Sequence, residues 1–274
     1  MTNVAPITSR RGLFKLAGAM GAAAAFAGTL SACGTSPAQR TSEATNVKGP
    51  TIRAAISYEL GTNGFDPMTT TSALTVAANW HTMEGLTEIL PSGDRQVYAA
   101  LGKALPKKVN DLTYEVTLRE GATFHNGTPV TPEDVVYSFE RVLDPNNKSL
   151  YAGFIGFLDK VEKKDATSVT IKLKQPYSLV AERLAVVKVV PKASATADPK
   201  AFDANPVGTG PYKMVDNSAT SKQVVFEKFE DYTGPRPAKA NSMVWKVMPD
   251  DATRMNALTS KAVPAPDLLP DLSI

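Results

Sequence analysis

The sequence predicts a mixed α/β fold, and three observations carry that prediction. Residues 113–119, TYEVTLR, alternate apolar and polar side chains, as a half-buried strand does. Residues 131–145, TPEDVVYSFERVLDP, hold a helix start, an apolar stripe at helical spacing and a stop. Val169, Ile171 and Leu173 repeat the two-residue period farther along the chain.

Length and composition bound the rest. A chain of 274 residues can bury a sizeable core in one or two domains, and 43% hydrophobic with 21% charged residues is ordinary for a folded soluble protein. The net charge of +3 resides in the first 32 residues, which hold Arg10, Arg11, Lys15 and no acid. The remainder carries 27 basic and 27 acidic residues, so nucleic acid is not an expected partner. One cysteine excludes an internal disulfide and a cysteine-based zinc site. Only His81 and His125 supply imidazole, and no metal or other cofactor is expected.

In chain order, residues 1–32 read as an export signal. Ser9-Arg10-Arg11-Gly12-Leu13-Phe14-Lys15 resembles a twin-arginine signal with the usual Phe-Leu order reversed; paired arginines also occur in general secretory leaders, and the route stays open. Leu16–Ala32 is uncharged but rich in Ala and Gly, too weakly apolar for a membrane span. Leu30-Ser31-Ala32-Cys33 resembles a bacterial lipobox, in which the cysteine is acylated and anchors the protein at a bilayer surface. Residues 33–50 are small, polar and proline-punctuated, which predicts a flexible tether.

The folded body is expected over residues 51–262. Thr51–Ser57 reads as a strand with Ile52, Ala54 and Ile56 on one face. A helix from about Ala73 to Met83 follows, with Thr71 or Ser72 as N-cap, and its Trp80 and His81 read as packing residues. Leu86–Leu90 opens a hairpin that turns at Pro91-Ser92-Gly93-Asp94. After the strand at 113–119, Asn126-Gly127 makes a turn, Thr131 caps a helix whose first residue is Pro132, and Asp134 sits where a capping-box acid would. Val135, Phe139 and Val142 form its apolar stripe, and Asp144-Pro145 ends it. Residues 146–157 read as an aromatic-rich loop, Leu179–Leu184 as a short helix, and Val186–Pro191 as a buried strand. Gln223–Phe229 and Met243–Met248 are two further strands, and Asp250 or Asp251 caps a last helix through Ala257-Leu258. His125 lies in a turn without a partner at metal spacing and is read as structural. Gly208-Thr209-Gly210-Pro211 is not a phosphate loop, since no helix opens on it and no third glycine or lysine stands at the required place.

Several of these strings together resemble a known family. Gly102, Asn110, Thr113, Tyr114, Val116, Leu118 and Arg119, then Phe124-His125-Asn126-Gly127-Thr128-Pro129-Val130-Thr131, Asp134–Phe139 and Asp144-Pro145, are similar to the signature of the extracellular solute-binding proteins of ABC importers, family 5, the oligopeptide-binding class. Asn205–Tyr212, NPVGTGPY, looks like the family's second recurrent string, and the resemblance covers roughly residues 51–263. It implies a periplasmic-binding-protein-like fold of class II. It also implies that Thr70, Thr71, Ser72 and Ala73 line the ligand cleft, although the same residues suit the start of a helix. Tyr151 and Phe154 are cleft candidates on the same ground, with a hydrophobic plug as the competing role.

Beyond Ser260 the sequence departs from the family pattern, and residues 263–274 are an irregular proline-rich tail. The expectation is therefore the first lobe alone, ending before the second. The function expected is a lipid-anchored binding component on the outer face of the cell membrane or in the periplasm. It would capture a peptide or other small solute and deliver it to ABC permease subunits. The alternative is a truncated single lobe that cannot enclose a ligand and at most docks, because closure needs two opposing walls. An enzyme is not expected: no Gly-x-Ser-x-Gly elbow and no His-Glu-x-x-His is present.

Overall fold

The computed structural model describes residues 49–57, 64–70, 72–218 and 220–260. Its elements in chain order are β1 (Thr51–Ile56), α1 (Ala73–Thr82), β2 (Thr87–Ile89), β3 (Val97–Ala99), β4 (Lys107–Asn110), β5 (Thr113–Thr117), α2 (Pro132–Leu143), β6 (Leu158–Lys163), β7 (Ser168–Leu173), α3 (Val180–Leu184), α4 (Lys192–Ala197), α5 (Pro199–Ala204), β8 (Tyr212–Asp216), β9 (Gln223–Lys228), β10 (Ser242–Val247) and α6 (Asp251–Thr259). The predicted leader, the tether up to residue 48, Cys33, Arg10, Arg11, Thr71 and the tail from residue 263 lie outside the described residues.

One sheet runs β4-β5-β7-β6, antiparallel throughout. Val116 pairs with Val169 and Tyr114 with Ile171, so the two alternating patterns meet in register on one face. That face receives Val135, Phe139 and Val142 of α2, with Phe124 and Leu86 completing a core that excludes water. Each fully buried Phe or Leu side chain there contributes about 2 kcal/mol of transfer free energy. The helix begins as predicted: the Asp134 N–H donates to Thr131 Oγ1 and the Thr131 N–H donates to Asp134 Oδ2, at 3.4 and 3.0 Å. Asp134 Oδ1 also accepts the Lys192 N–H at 2.8 Å, tying α2 to α4.

The second sheet runs β1-β10-β9-β8, with β1 parallel to β10 and the other pairs antiparallel. Val224, Val225 and Phe226 of β9 are buried in succession because both faces of this inner strand are covered. Leu74 and Ala78 of α1 pack on Phe226, Met243 and Trp245 on one side. Ala55 of β1 packs on Ala257 of α6 on the other.

Residues 208–210 join the layers. The Gly210 N–H donates to the Thr82 carbonyl at 2.9 Å and the His125 N–H to the Gly208 carbonyl at 2.8 Å, while His125 Nε2 lies 2.9 Å from the Gly210 carbonyl oxygen. Here glycine is required by close approach of two backbones.

Four expectations are corrected. Val186–Pro191 is buried but forms no strand: the Val189 N–H donates to the Glu84 carbonyl and the Val190 N–H to Ser138 Oγ, so different elements serve its backbone one group at a time. Ile52 is exposed although Ile56 is buried, since the core cluster covers the face they share at Ala54 and Ile56 and does not reach Ile52. Ser72 is the N-cap of α1 but makes no side-chain cap bond; its N–H instead donates to Thr70 Oγ1. Trp80 is not a packing residue, as it is 55% exposed.

Candidate functional site

The exposure of Trp80 follows from helix geometry. Leu74, Ala78 and Thr82 recur every four residues and are buried against the sheet. Two residues past Ala78, Trp80 points roughly 200° around the axis, away from that face. It stands between two adjoining grooves. The larger holds about 650 Å³ and is lined by Trp80, Met83, Glu88, Tyr98, Tyr232 and Arg236, among others. The smaller holds about 220 Å³ between Trp80, Glu88, Arg95, Tyr151, Val186 and Lys188. Both share Trp80, Glu88, Ile89 and Pro91, so they form one continuous face.

Two buried ion pairs underlie this face. Arg119 donates to Glu84 through Nη1 and Nη2 at 3.4 and 3.2 Å and caps the Ala100 carbonyl. Tyr232 Oη donates to Glu84 Oε1 at 2.8 Å, which fastens the loop after β9 to the buried pair. Burial together with the Glu84 carboxylate pushes the Tyr232 hydroxyl far above its usual range, so it stays a donor. Glu88 Oε1 accepts the Gly85 N–H at 2.7 Å and the Lys188 ammonium. Burial raises the Glu88 carboxyl, with Lys188 pulling the other way. His81 packs edge-on against Trp245 and Tyr212, with ring centroids 5.5 and 6.1 Å away. Burial first, and then the Arg236 charge, lower its pKa to about 4, so the ring is neutral near pH 7.

Aromatic rings, prolines and a few fixed charges on an open face suit recognition of a small solute by stacking and charge. Among the described residues no three His, Cys, Asp or Glu side chains cluster at metal spacing.

Comparison with known proteins settles the family. Residues 96–271 match the family described as bacterial extracellular solute-binding proteins, family 5 Middle. The chain belongs to that family. Family-5 relatives include the glutathione-binding protein GsiB of Pectobacterium atrosepticum, 31% identical over 163 residues, which are 59% of this chain and 32% of that protein. Protein XP55 of Streptomyces lividans is 35% identical over 185 residues, 66% of this chain and 33% of that one. Among solved structures, Listeria monocytogenes OppA bound to peptide superposes with TM-score 0.71 at 21% identity, over 79% of this chain and 46% of the other. Campylobacter jejuni NikZ in complex with Ni(L-His) gives 0.67 at 23% identity, over 78% and 42%. The fold is thus the periplasmic-binding-protein fold expected, and the chain spans about a third of the curated relatives' length.

Within this family-5 chain the predicted site residues separate. Tyr151 lines the smaller groove, and its hydroxyl donates to the Thr70 carbonyl at 2.9 Å, so those two are brought together. Thr70 is itself buried, and Ser72 and Ala73 start α1 without lining either groove. Phe154 is 49% exposed outside both grooves, with the Arg183 guanidinium 5.6 Å from its ring centroid. Sequence reasoning missed Glu88, Tyr98, Tyr232 and Arg236. The signal for the last two lay in the stretch Tyr232-Thr233-Gly234-Pro235-Arg236-Pro237, a turn-rich loop carrying an aromatic and a cation without an apolar period.

Proposed function

We propose that this chain forms one wall of the solute site in the exported receptor of an ABC importer, and that the solute is a peptide. The observation carrying the reading is the continuous groove face around the exposed Trp80, in a chain of the family-5 fold. A peptide laid on that face would stack on Trp80 and Tyr98, and Tyr151 with its bond to Thr70 would bound the far end. The receptor is held at the outer face of the cell membrane through an acylated Cys33, after removal of residues 1–32, and it hands its solute to permease subunits.

Tryptophan emission tests the site, since Trp245 is buried and Trp80 is not. Titrating the full chain with a tripeptide pool of Gly, Ala, Leu and Phe should give a saturable emission change, absent in Trp80→Phe. No saturable change up to millimolar peptide, with no heat by calorimetry, sinks the proposal. For the anchor, Cys33→Ser should move the protein from the membrane fraction to the soluble exported fraction. Continued membrane retention of that variant overturns it.

A further inference from the structure

The charges on the groove face do not balance. Six charged side chains line it: Glu84, Glu88, Arg95, Lys188, Arg236 and Lys239. Both carboxylates are already neutralised from within, Glu84 by Arg119 and Glu88 by Lys188. Arg95, Arg236 and Lys239 remain, and among the described residues none of them has a carboxylate in ion-pair range. The face offers positive charge beside aromatic rings, and no free carboxylate to attract a cation.

Arg236 is the best placed of the three. It stands between Pro235 and Pro237, so the backbone around it is restricted on both sides and loses little freedom on binding. The loop is anchored through Tyr232 to the buried Glu84–Arg119 pair. The guanidinium lies 5.8 Å from the Tyr98 ring centroid and bonds to the Tyr98 hydroxyl, which holds it on a groove wall, and a guanidinium carries five N–H donors, enough to serve a carboxylate as well. The partial contribution of Arg236 to keeping His81 neutral shows that its charge is felt inside the groove.

We infer that Arg236 is a specificity-determining residue of this face and that it selects solutes by a carboxylate, the α-carboxylate of a peptide, lying beside Tyr98 and Trp80. The inference rests on the peptide-binding reading above and narrows it to solutes with a free carboxylate.

The test compares two probes on the full chain by Trp80 emission: the tripeptide pool of Gly, Ala, Leu and Phe, and the same pool with amidated C-termini. The free acids should bind at least about tenfold more tightly, the weight of one charge-assisted hydrogen-bonded pair. Arg236→Gln should bring the two pools to within about twofold of one another, and Arg236→Lys, which keeps the charge but not the fork, should fall between. The preference should also shrink as salt is raised from 0.05 to 0.5 M, values spanning roughly 14 to 4 Å in screening length. Equal affinity for acids and amides in the unmutated chain, or an undiminished preference in a folded Arg236→Gln, overturns the inference while leaving peptide binding standing. Binding of neither pool overturns both.

Discussion

A Cβ added at Gly208 would stand 1.9 Å from the Thr82 carbonyl oxygen, and one at Gly210 would stand 2.6 Å from that of His81. Neither contact can be relieved by rotating a side chain, because both partners are backbone at the end of α1, itself packed on the second sheet. Gly208→Ala should therefore cost about 3 kcal/mol or more, as overpacking against a rigid partner does. Gly153 has open space around its Cβ position and no positive φ, so Gly153→Ala should stay within about 0.5 kcal/mol of the unmutated protein. Urea unfolding of both variants checks the pair; equal midpoints would show that the junction yields. The same residue-level view explains His125. Its ring faces the Gly210 carbonyl and lies 5.0 Å from the Phe229 ring, which fits the structural role assigned from its lack of ligand partners.

Elements were legible where local chemistry and burial agree. α2 had its capping box, its proline and an apolar stripe, and each does in the fold what it does in isolation. β5, β7, β9, β10, the β2–β3 hairpin and α6 with its Asp250 cap were readable for the same reason. β4 was not, because all four of its residues are exposed on a sheet edge and no face is selected for apolarity. β6 and β8 each carry a register shift, at Leu158/Lys160 and Met214/Asp216, which breaks the two-residue period. Val186–Pro191 failed in the opposite direction: an apolar run shows burial but not which partner takes the backbone hydrogen bonds. α5 had a readable start in Asp198-Pro199, where Asp198 Oδ1 accepts the Ala201 N–H at 3.0 Å, but it is only six residues long. The candidate site was the least legible part. Its face is assembled from α1, β2, β3 and the 232–237 loop, and only the fold brings those together. Beside Tyr151 and the turn-rich 232–237 loop, Trp80 was recoverable in advance, since its phase in α1 is opposite to Leu74, Ala78 and Thr82.

At the scale of the whole molecule, two cores are joined by polar contacts rather than by one apolar interior, and this sets the response to acid. His81 packs in the core of the second sheet, and His125 lies against the 208–210 junction. Burial lowers both from the ordinary value of 6.5 to about 4; Arg236 adds to this at His81 and Lys213 at His125, while the Gly210 carbonyl partly offsets it at His125. Both are neutral in the folded protein near pH 7. Between pH 6.5 and about 4 the unfolded chain binds protons that the folded chain refuses. Their contribution is fully present above that window and is lost as pH falls through it. With partial exposure allowed for, the loss by pH 5 is about 1–2 kcal/mol for each histidine. Other groups act differently. Burial raises the Glu88 carboxyl, so acidification relieves that group and opposes the trend. Asp250, lowered by the Thr253 hydroxyl, gives up its stabilisation only below the ordinary carboxylate range. The urea midpoint should therefore fall between pH 7.5 and pH 5. The double variant His81→Phe, His125→Gln should show less than half of that fall whatever its stability at pH 7.5, because the slope counts protons and not contacts. An unchanged slope in the double variant would move the acid sensitivity to the carboxylates and away from the two histidines that the fold keeps uncharged.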